Sequence, residues 1–187
     1  MKRVVILASG SGSNAENIFS YFKGSDTVEV VAVLTNKKTA KVLDRCEKLG
    51  IPAYFFNREA FSGPSGFVEI MKSFRPDLIV LAGFLWKISS SLINAFPNKI
   101  INIHPALLPK YGGKGMYGSK VHEAVKENSE AETGITIHYV NENYDEGAII
   151  FQAKTAINTS DTADDIAQKV HQLEYEHFPK VIEKLLT

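Results

Sequence analysis

The chain has 187 residues, of which 44% are apolar and 22% charged, and this composition is typical of an ordinary globular protein with a sizeable core. Lys plus Arg and Asp plus Glu each number 21, so the formal net charge is zero and no broad basic surface for nucleic acid is implied. Cys46 is the only cysteine, which excludes an internal disulfide and a cysteine-rich metal cluster, and no apolar run approaches the roughly 20 residues of a membrane span. We expect a cytoplasmic protein with no membrane or nucleic-acid partner.

The first half of the chain alternates between strand and helix patterns. Continuous apolar runs are typical of strands covered on both faces, and amphipathic segments of helical period follow them. The predicted elements are strand 4–7, helix 14–22, strand 28–34, helix 39–49, strand 51–56, helix 58–74 and strand 78–82. Gly63, Pro64 and Gly66 predict either an irregular first half or a later start for the helix over 58–74. The alternation predicts an α/β protein with a parallel sheet.

The pattern changes in the second half. A short helix over 89–96, a strand over 100–104 and a short helix over 119–127 come first. The predicted strands 134–140 and 148–154 are joined by only the seven residues 141–147, whereas a parallel crossover needs about a dozen, so this pair should be antiparallel. A long helix over 162–186 follows the capping candidates Ser160 and Asp161. The prediction is therefore a mostly parallel sheet with antiparallel strands near the carboxyl end.

A glycine-serine segment, SGSGSN at 9–14, lies between the first strand and the first helix. Glycines there let backbone amides approach an anion, and a helix N-terminus favours negative charge, so a phosphate fits. Gly10, Gly12 and Ala15 also match the dinucleotide pattern G-x-G-x-x-G/A. That pattern expects an acidic residue at the end of the second strand, where Asn36 stands instead. A dinucleotide-binding oxidoreductase and a turn shaped only by packing remain alternatives.

Asn102 and His104 lie two positions apart at the carboxyl end of a predicted strand, so both side chains point to one side. Open α/β sheets place ligand crevices at such ends. An amide donor beside an imidazole suits a carbonyl oxygen that becomes an oxyanion. Asp145, in the loop 141–147, could orient the imidazole and raise its pKa if the fold brings it there. A satisfied core histidine and a solvated acidic loop are the alternatives, and no histidine spacing predicts a metal site.

Five motifs in the same order resemble the phosphoribosylglycinamide formyltransferase family over residues 3–180. They are ASGSGSN at 8–14, LAGF at 81–84, NIHPALLPKY at 102–111, GITIH at 134–138 and DEGAII at 145–150. The resemblance implies a Rossmann-like formyltransferase fold in a single domain over residues 1–187. It also implies that the formyl group of 10-formyltetrahydrofolate, as co-substrate, passes to the amine of glycinamide ribonucleotide in de novo purine biosynthesis, without a metal.

The resemblance also assigns residues to roles. Asn102 and His104 would stabilise the oxyanion, while Asp145 would keep His104 suitably protonated and help a water molecule relay protons to the departing folate nitrogen. Residues implied for the ribonucleotide are Gly12, Ser13 and Asn14 for the phosphate and Glu174 for the ribose. Residues implied for the folate are Leu85, Trp86, Lys87, Ile88, Asn102, Asn141, Glu142, Asn143, Tyr144 and Asp145.

Some segments depart from the familiar family pattern. Trp86-Lys87 replaces a basic-then-apolar pair, GGKGMYG at 112–118 replaces a Pro-Gly loop that supplies a histidine, and Ser62-Gly63-Pro64 stands where an Arg often lies near the folate glutamate.

Related activities are separated by their additional domains. Formyltetrahydrofolate hydrolase carries an amino-terminal regulatory domain, whereas the first strand here begins near Arg3. Methionyl-tRNA formyltransferase needs a carboxy-terminal tRNA-binding domain, and no basic extension follows the last helix. A nucleotide-binding module without catalysis is a further alternative. We expect a monomer or a homodimer.

Overall fold

The computed structural model describes residues 1–63 and 66–187, and these residues form one seven-stranded sheet. The order across the sheet is β3-β2-β1-β4-β5-β6-β7. The first five strands along this order are parallel, and β6 and β7 continue it in antiparallel pairing. The strands are β1 Lys2–Leu7, β2 Val28–Thr35, β3 Ala53–Phe55, β4 Leu78–Leu81, β5 Ile100–His104, β6 Glu132–Tyr139 and β7 Ile149–Ala156. The predicted mixed sheet is confirmed.

Helices cover both faces of the sheet, as the Rossmann-like fold implied by the resemblance requires. Alternation along β1 shows why, since Val4 and Ile6 pack on one side and Val5 and Leu7 on the other, and all four are fully buried. The first side is covered by α1 Ser13–Phe22, α2 Lys41–Leu49, α6 Ser119–Glu127 and α7 Ala163–Leu186, and the second by α3 Arg58–Ser62, α4 Gly66–Ser73 and α5 Ser90–Ala95. In the described ranges, no helix is both long and apolar enough to cross a bilayer.

Among the differences between prediction and structure, three have an identifiable local cause. The helix predicted over 58–74 is two helices, α3 and α4, because the chain is extended at Gly63. Pro64, another of the three residues proposed to make this helix irregular, lies outside the described residues. The strand predicted over 51–56 shortens to Ala53–Phe55 at the sheet edge. The cap of α7 is Thr162 and not Ser160 or Asp161, because Thr162 and Asp165 form a reciprocal capping box.

The strand order places three loops together. Strands β1, β4 and β5 are neighbours and parallel, so the segments that follow their carboxyl ends meet along one edge of the sheet. The chain order reverses between β1 and β4, and a crevice at such a switch point is where open α/β sheets bind ligands. Residues 8–12, 82–89 and 105–118 follow these three strands. The predicted phosphate segment and the Asn102–His104 pair therefore belong to one crevice.

Candidate functional site

The turn between β1 and α1 has a shape that requires glycine at Gly12. Its φ is +75°, and a Cβ there would lie 2.4 Å from Cγ2 and 2.8 Å from Cα of Val42. Arg45 fixes the same turn, since its Nε donates to the Ser11 carbonyl over 2.8 Å and its guanidinium pairs with Glu16. Gly12 is the N-cap residue of α1, and no side chain of the described residues caps this helix. The first backbone N–H groups of α1 therefore stay free for an anion. Packing explains Gly12 itself, while the open amides suit a phosphate.

The carboxylate of Glu174 lies beside this turn, although 160 residues separate it from Asn14 along the chain. Glu174 is 5% exposed, and its Oε2 accepts from the side-chain amide of Asn14 and from Nδ1 of His171, each over 2.9 Å. The hydrogen bond to Glu174 raises the pKa of His171 although burial opposes it. The structure thus brings together the two parts of the predicted ribonucleotide site.

Asn102 is held by a histidine that the sequence analysis did not include in the site. Strands β5 and β6 pair so that Asn102 lies opposite His138, and directly opposed residues share a face. The Asn102 amide nitrogen lies 3.1 Å from Nε2 of His138, whose Nδ1 lies 2.9 Å from the Tyr139 carbonyl. Because that carbonyl can only accept, Nδ1 carries the ring hydrogen and Nε2 accepts from Asn102. One of the two amide hydrogens of Asn102 is left for the cleft.

His104 is 3% exposed, and both of its ring nitrogens face oxygen atoms. Nε2 lies 2.7 Å from the Tyr111 carbonyl and must donate to it, while Nδ1 lies 3.6 Å from Oδ2 of Asp145. Burial is the largest influence on the pKa of His104 and lowers it; the charge of Asp145 and the Tyr111 hydrogen bond raise it but are outweighed. Asp145 therefore acts in the expected direction, yet the net pKa of His104 is lowered and not raised.

Asp145 connects the two histidines. Its Oδ1 lies 3.6 Å from Nε2 of His138, and its Oδ2 accepts from the backbone N–H of Gly113 over 2.9 Å. Burial would raise the pKa of Asp145, but the neighbouring rings of His138 and His104 and the hydrogen bond from Gly113 outweigh it and lower that pKa. The residue has a φ of +57°, in the left-handed region that costs free energy for a residue other than glycine. Asp145 is thus an ionised carboxylate in a constrained backbone, not a solvated loop residue.

One cleft of about 730 Å³ joins these groups. It is lined by the predicted residues Gly12, Ser13, Asn14, Leu85, Trp86, Lys87, Ile88, Asn102, His104, Asn141, Asn143, Tyr144, Asp145 and Glu174. Glu142, also predicted for the folate, is exposed and lies outside the lining. The two predicted folate segments meet where the Lys87 ammonium lies 5.7 Å from the centre of the Tyr144 ring. A cleft of this size suits a small-molecule ligand.

Aromatic packing supports the first folate segment. The Trp86 ring packs on Phe56 and Phe61, and the Arg58 guanidinium lies 4.6 Å from its ring centre. The backbone N–H of Leu85 donates to Ser9 Oγ over 3.0 Å, which ties this segment to the turn after β1. These contacts hold the segment against the body of the protein, and the Leu85 N–H is already hydrogen-bonded within the protein.

Three histidines in or beside the cleft escaped the sequence analysis as site residues: His122, His138 and His171. The spacing of His171 three residues before Glu174 on a predicted helix was an available signal. His138 could be found only from the register of β6 against β5. Over residues 1–63 and 66–187, no group of three His, Cys, Asp or Glu side chains is arranged to hold a metal ion.

Comparison with known proteins gives one consistent family. Residues 2–182 match the family described as formyl transferase. The chain is 40% identical, over 97% of its length, to a chloroplastic phosphoribosylglycinamide formyltransferase of Arabidopsis thaliana, but spans only 64% of that protein. It is 37% identical to phosphoribosylglycinamide formyltransferase of Bacillus subtilis, covering 100% of this chain and 95% of that one.

A solved structure agrees with these sequence relatives. The phosphoribosylglycinamide formyltransferase of Bacillus halodurans superimposes with a TM-score of 0.89 at 34% identity, covering 100% of this chain and 96% of that one.

Proposed function

The chain belongs to the formyl transferase family, and we propose that it transfers the formyl group of 10-formyltetrahydrofolate to the amine of glycinamide ribonucleotide, a step of de novo purine biosynthesis. The observation that carries this proposal is the composition of the cleft. Free helix amides, a buried carboxylate, a network of amide, imidazole and carboxylate groups, and apolar and aromatic side chains all line this one cleft. A phosphorylated amine matches the amides and the carboxylate, and a flat heteroaromatic donor matches the apolar and aromatic side chains.

The proposal extends to the organisation of the protein. Residues 1–187 form a single formyltransferase domain, which the continuous sheet supports. The partners are the two small molecules, without nucleic acid or membrane, in a monomer or a homodimer. A cytoplasmic location is supported by the single cysteine, Cys46, which is buried and free, because reducing compartments keep thiols reduced.

At the ribonucleotide end, the backbone amides of Gly12, Ser13 and Asn14 receive the phosphate at the positive end of α1. Glu174 then faces the ribose with Oε1, because Asn14 and His171 occupy Oε2. A carboxylate oxygen can only accept, so it recognises a hydroxyl hydrogen of the sugar. These contacts fix the substrate amine relative to β5, which is the positioning that a bimolecular transfer requires.

At the reaction centre, Asn102 donates to the formyl oxygen as negative charge develops on it. Its second amide hydrogen serves this purpose because the first is donated to His138. An amide donor does not titrate and is held in place by that bond, so it needs no reorganisation during the reaction. His104 supplies a second donor when its Nε2–H turns from the Tyr111 carbonyl to the same oxygen.

The proton of the attacking amine moves toward the pair formed by His104 and Asp145. Nδ1 of His104 is the basic nitrogen, since Nε2 already carries a hydrogen, and the Asp145 carboxylate favours a proton at Nδ1. From this pair a water molecule passes a proton to the folate nitrogen that leaves the formyl carbon. The amine loses one proton and the leaving nitrogen gains one, so the transfer balances.

The far end of the cleft fits the folate. Leu85, Trp86, Ile88 and Tyr144 give it apolar and aromatic surface for a flat ring. Because the Leu85 amide is bonded to Ser9, recognition of the polar ring edge falls to the other backbone groups along the two segments. Asn141 and Asn143, both in the lining, add amide groups that can donate or accept.

The test is a formyl-transfer assay with both substrates, accompanied by titrations with glycinamide ribonucleotide and with NADH. We expect formylated ribonucleotide in amounts equal to the folate consumed, and no competition by NADH. Release of formate without formylated product would favour a hydrolase. Tight NADH binding that displaces the ribonucleotide would instead favour the dinucleotide-binding oxidoreductase.

A further inference from the structure

His122 is a polar cleft residue without a role in the reaction proposed above. It lies in the first half of α6, is 4% exposed and lines the same cleft as Glu174. Its Nδ1 is fully enclosed and, within the described part of the chain, has no hydrogen-bond partner. Nε2 is not among the enclosed atoms without a partner, and His122 lines the cleft, so we place Nε2 on the cleft side of the ring. A buried polar ring of this kind needs a physical reason.

The two ring nitrogens of His122 differ in what they can carry. A hydrogen on Nδ1 would be a buried donor without an acceptor, which is costly, so the neutral ring carries its hydrogen on Nε2. Burial is the first cause that lowers the pKa of His122, and this favours the neutral ring at neutral pH. His122 therefore presents one N–H donor of fixed position to the cleft.

A complementary acceptor lies nearby. His122 and Glu174 line the same cleft, and the helices that carry them, α6 and α7, pack against each other. Oε2 of Glu174 is occupied by Asn14 and His171, so Oε1 remains as an acceptor. The cleft thus offers a donor and an acceptor to one ligand group. A hydroxyl both donates and accepts, whereas a phosphate oxygen would be repelled by the carboxylate.

We propose that His122 Nε2–H donates to a ribose hydroxyl of the substrate while that hydroxyl donates to Glu174, so that the pair selects ribose over deoxyribose. This inference rests on the proposed function, because it takes glycinamide ribonucleotide as the ligand. The selectivity follows because a deoxy ligand leaves both a buried N–H and a carboxylate oxygen without partners. His122 is then a specificity residue and not a member of the reacting set.

The experiment measures Kd by calorimetry for glycinamide ribonucleotide and for its 2′-deoxy and 3′-deoxy ribosyl analogues. Wild-type protein should bind at least one deoxy analogue about 10- to 100-fold more weakly than the ribonucleotide, the range for a buried hydrogen-bonding group left unpaired. His122→Phe, which fills the space without a donor, should reduce this ratio about tenfold. His122→Gln, which keeps a neutral donor, should retain more of it. His177→Phe on α7 is the matched control, because His177 lies outside the cleft lining.

Several outcomes would overturn the inference. An unchanged ribose-to-deoxyribose ratio in a folded His122→Phe protein contradicts it, and equal weakening of all three ligands assigns His122 a merely structural role. Nitrogen-15 NMR of wild-type histidine rings does not depend on the variant folding: hydrogen on Nδ1 of His122 contradicts the inference, and hydrogen on Nε2 with a ribose-dependent shift supports it. If wild-type protein binds none of the three ligands, the proposed function fails first and this inference fails with it.

Discussion

Replacing Asp145 by Asn tests the centre of the proposed mechanism. The substitution keeps the shape of the side chain and an oxygen that can accept from the Gly113 N–H, but removes the negative charge. That charge lies 3.6 Å from Nδ1 of His104 and equally 3.6 Å from Nε2 of His138, on a side chain that is 12% exposed. The variant therefore changes the electrostatics of the network more than its packing.

The size of the effect follows from the distance. Unit charges 3.6 Å apart attract by about 1 kcal/mol in water and by about 5 kcal/mol at an effective dielectric constant of 20. Asp145 is largely but not fully enclosed, so about 3 kcal/mol is a reasonable share of the barrier. Since 1.36 kcal/mol corresponds to a factor of ten in rate, we expect turnover to fall by about 10².

The assay is formyl transfer at saturating substrates, measured against pH. Asp145 raises the pKa of His104 against the larger effect of burial, so its loss lowers that pKa further. The acidic limb of the pH–rate profile should consequently move to lower pH in Asp145→Asn. Glu142→Gln and Glu146→Gln are matched controls in the same loop, because both residues are exposed and Glu146 accepts a local hydrogen bond from Asn143.

The reasoning is refuted if Asp145→Asn turns over as fast as Glu142→Gln, which would remove Asp145 from the mechanism. It is also refuted if the three variants lose activity equally, because a generally acidic loop would then account for the effect. A movement of the acidic limb to higher pH would contradict the assigned electrostatic direction.

Three further predictions concern the remaining parts of the cleft. Gly12→Ala should weaken ribonucleotide binding at least about tenfold and destabilise the fold by about 1–3 kcal/mol, because its Cβ would overlap Val42. Calorimetry and urea unfolding measure the two effects. In both assays the control Gly10→Ala should be nearly neutral, since no described atom lies within 4 Å of its Cβ. Asn102→Ala should lower turnover by about 10² with an unchanged circular dichroism spectrum, and wild-type turnover would disprove its donor role. The pKa of His122 is lowered in the fold, so its contribution to stability is present above its unfolded pKa of about 6.5 and is lost as pH falls. The free energy of unfolding of His122→Gln should therefore decrease less than that of wild type between pH 7.5 and 5.5. An equal or larger decrease counts against this assignment.

Local pattern was sufficient for most of the fold. Apolar runs without alternation predicted the parallel strands, because such strands are buried on both faces. The loop 141–147 is too short for a parallel crossover, and this was enough to predict that β6 and β7 are antiparallel. Errors arose where the local signal was weak or ambiguous. Thr162 was passed over as a cap because Ser160 and Asp161 are equally good capping residues, and only the capping box with Asp165 distinguishes them.

The sequence by itself determined which side chains carry the chemistry on β5, because the two-residue period of a strand puts Asn102 and His104 on one side. Tertiary structure alone decided their partners. The register of β6 placed His138 opposite Asn102, and the packing of α7 brought Glu174 to Asn14 across 160 residues of chain. Tertiary structure also decided the direction of the net pKa shift of His104, because burial outweighs the charge of Asp145. The extent of burial depends on packing from every side, and the spacing of residues along the sequence does not indicate it.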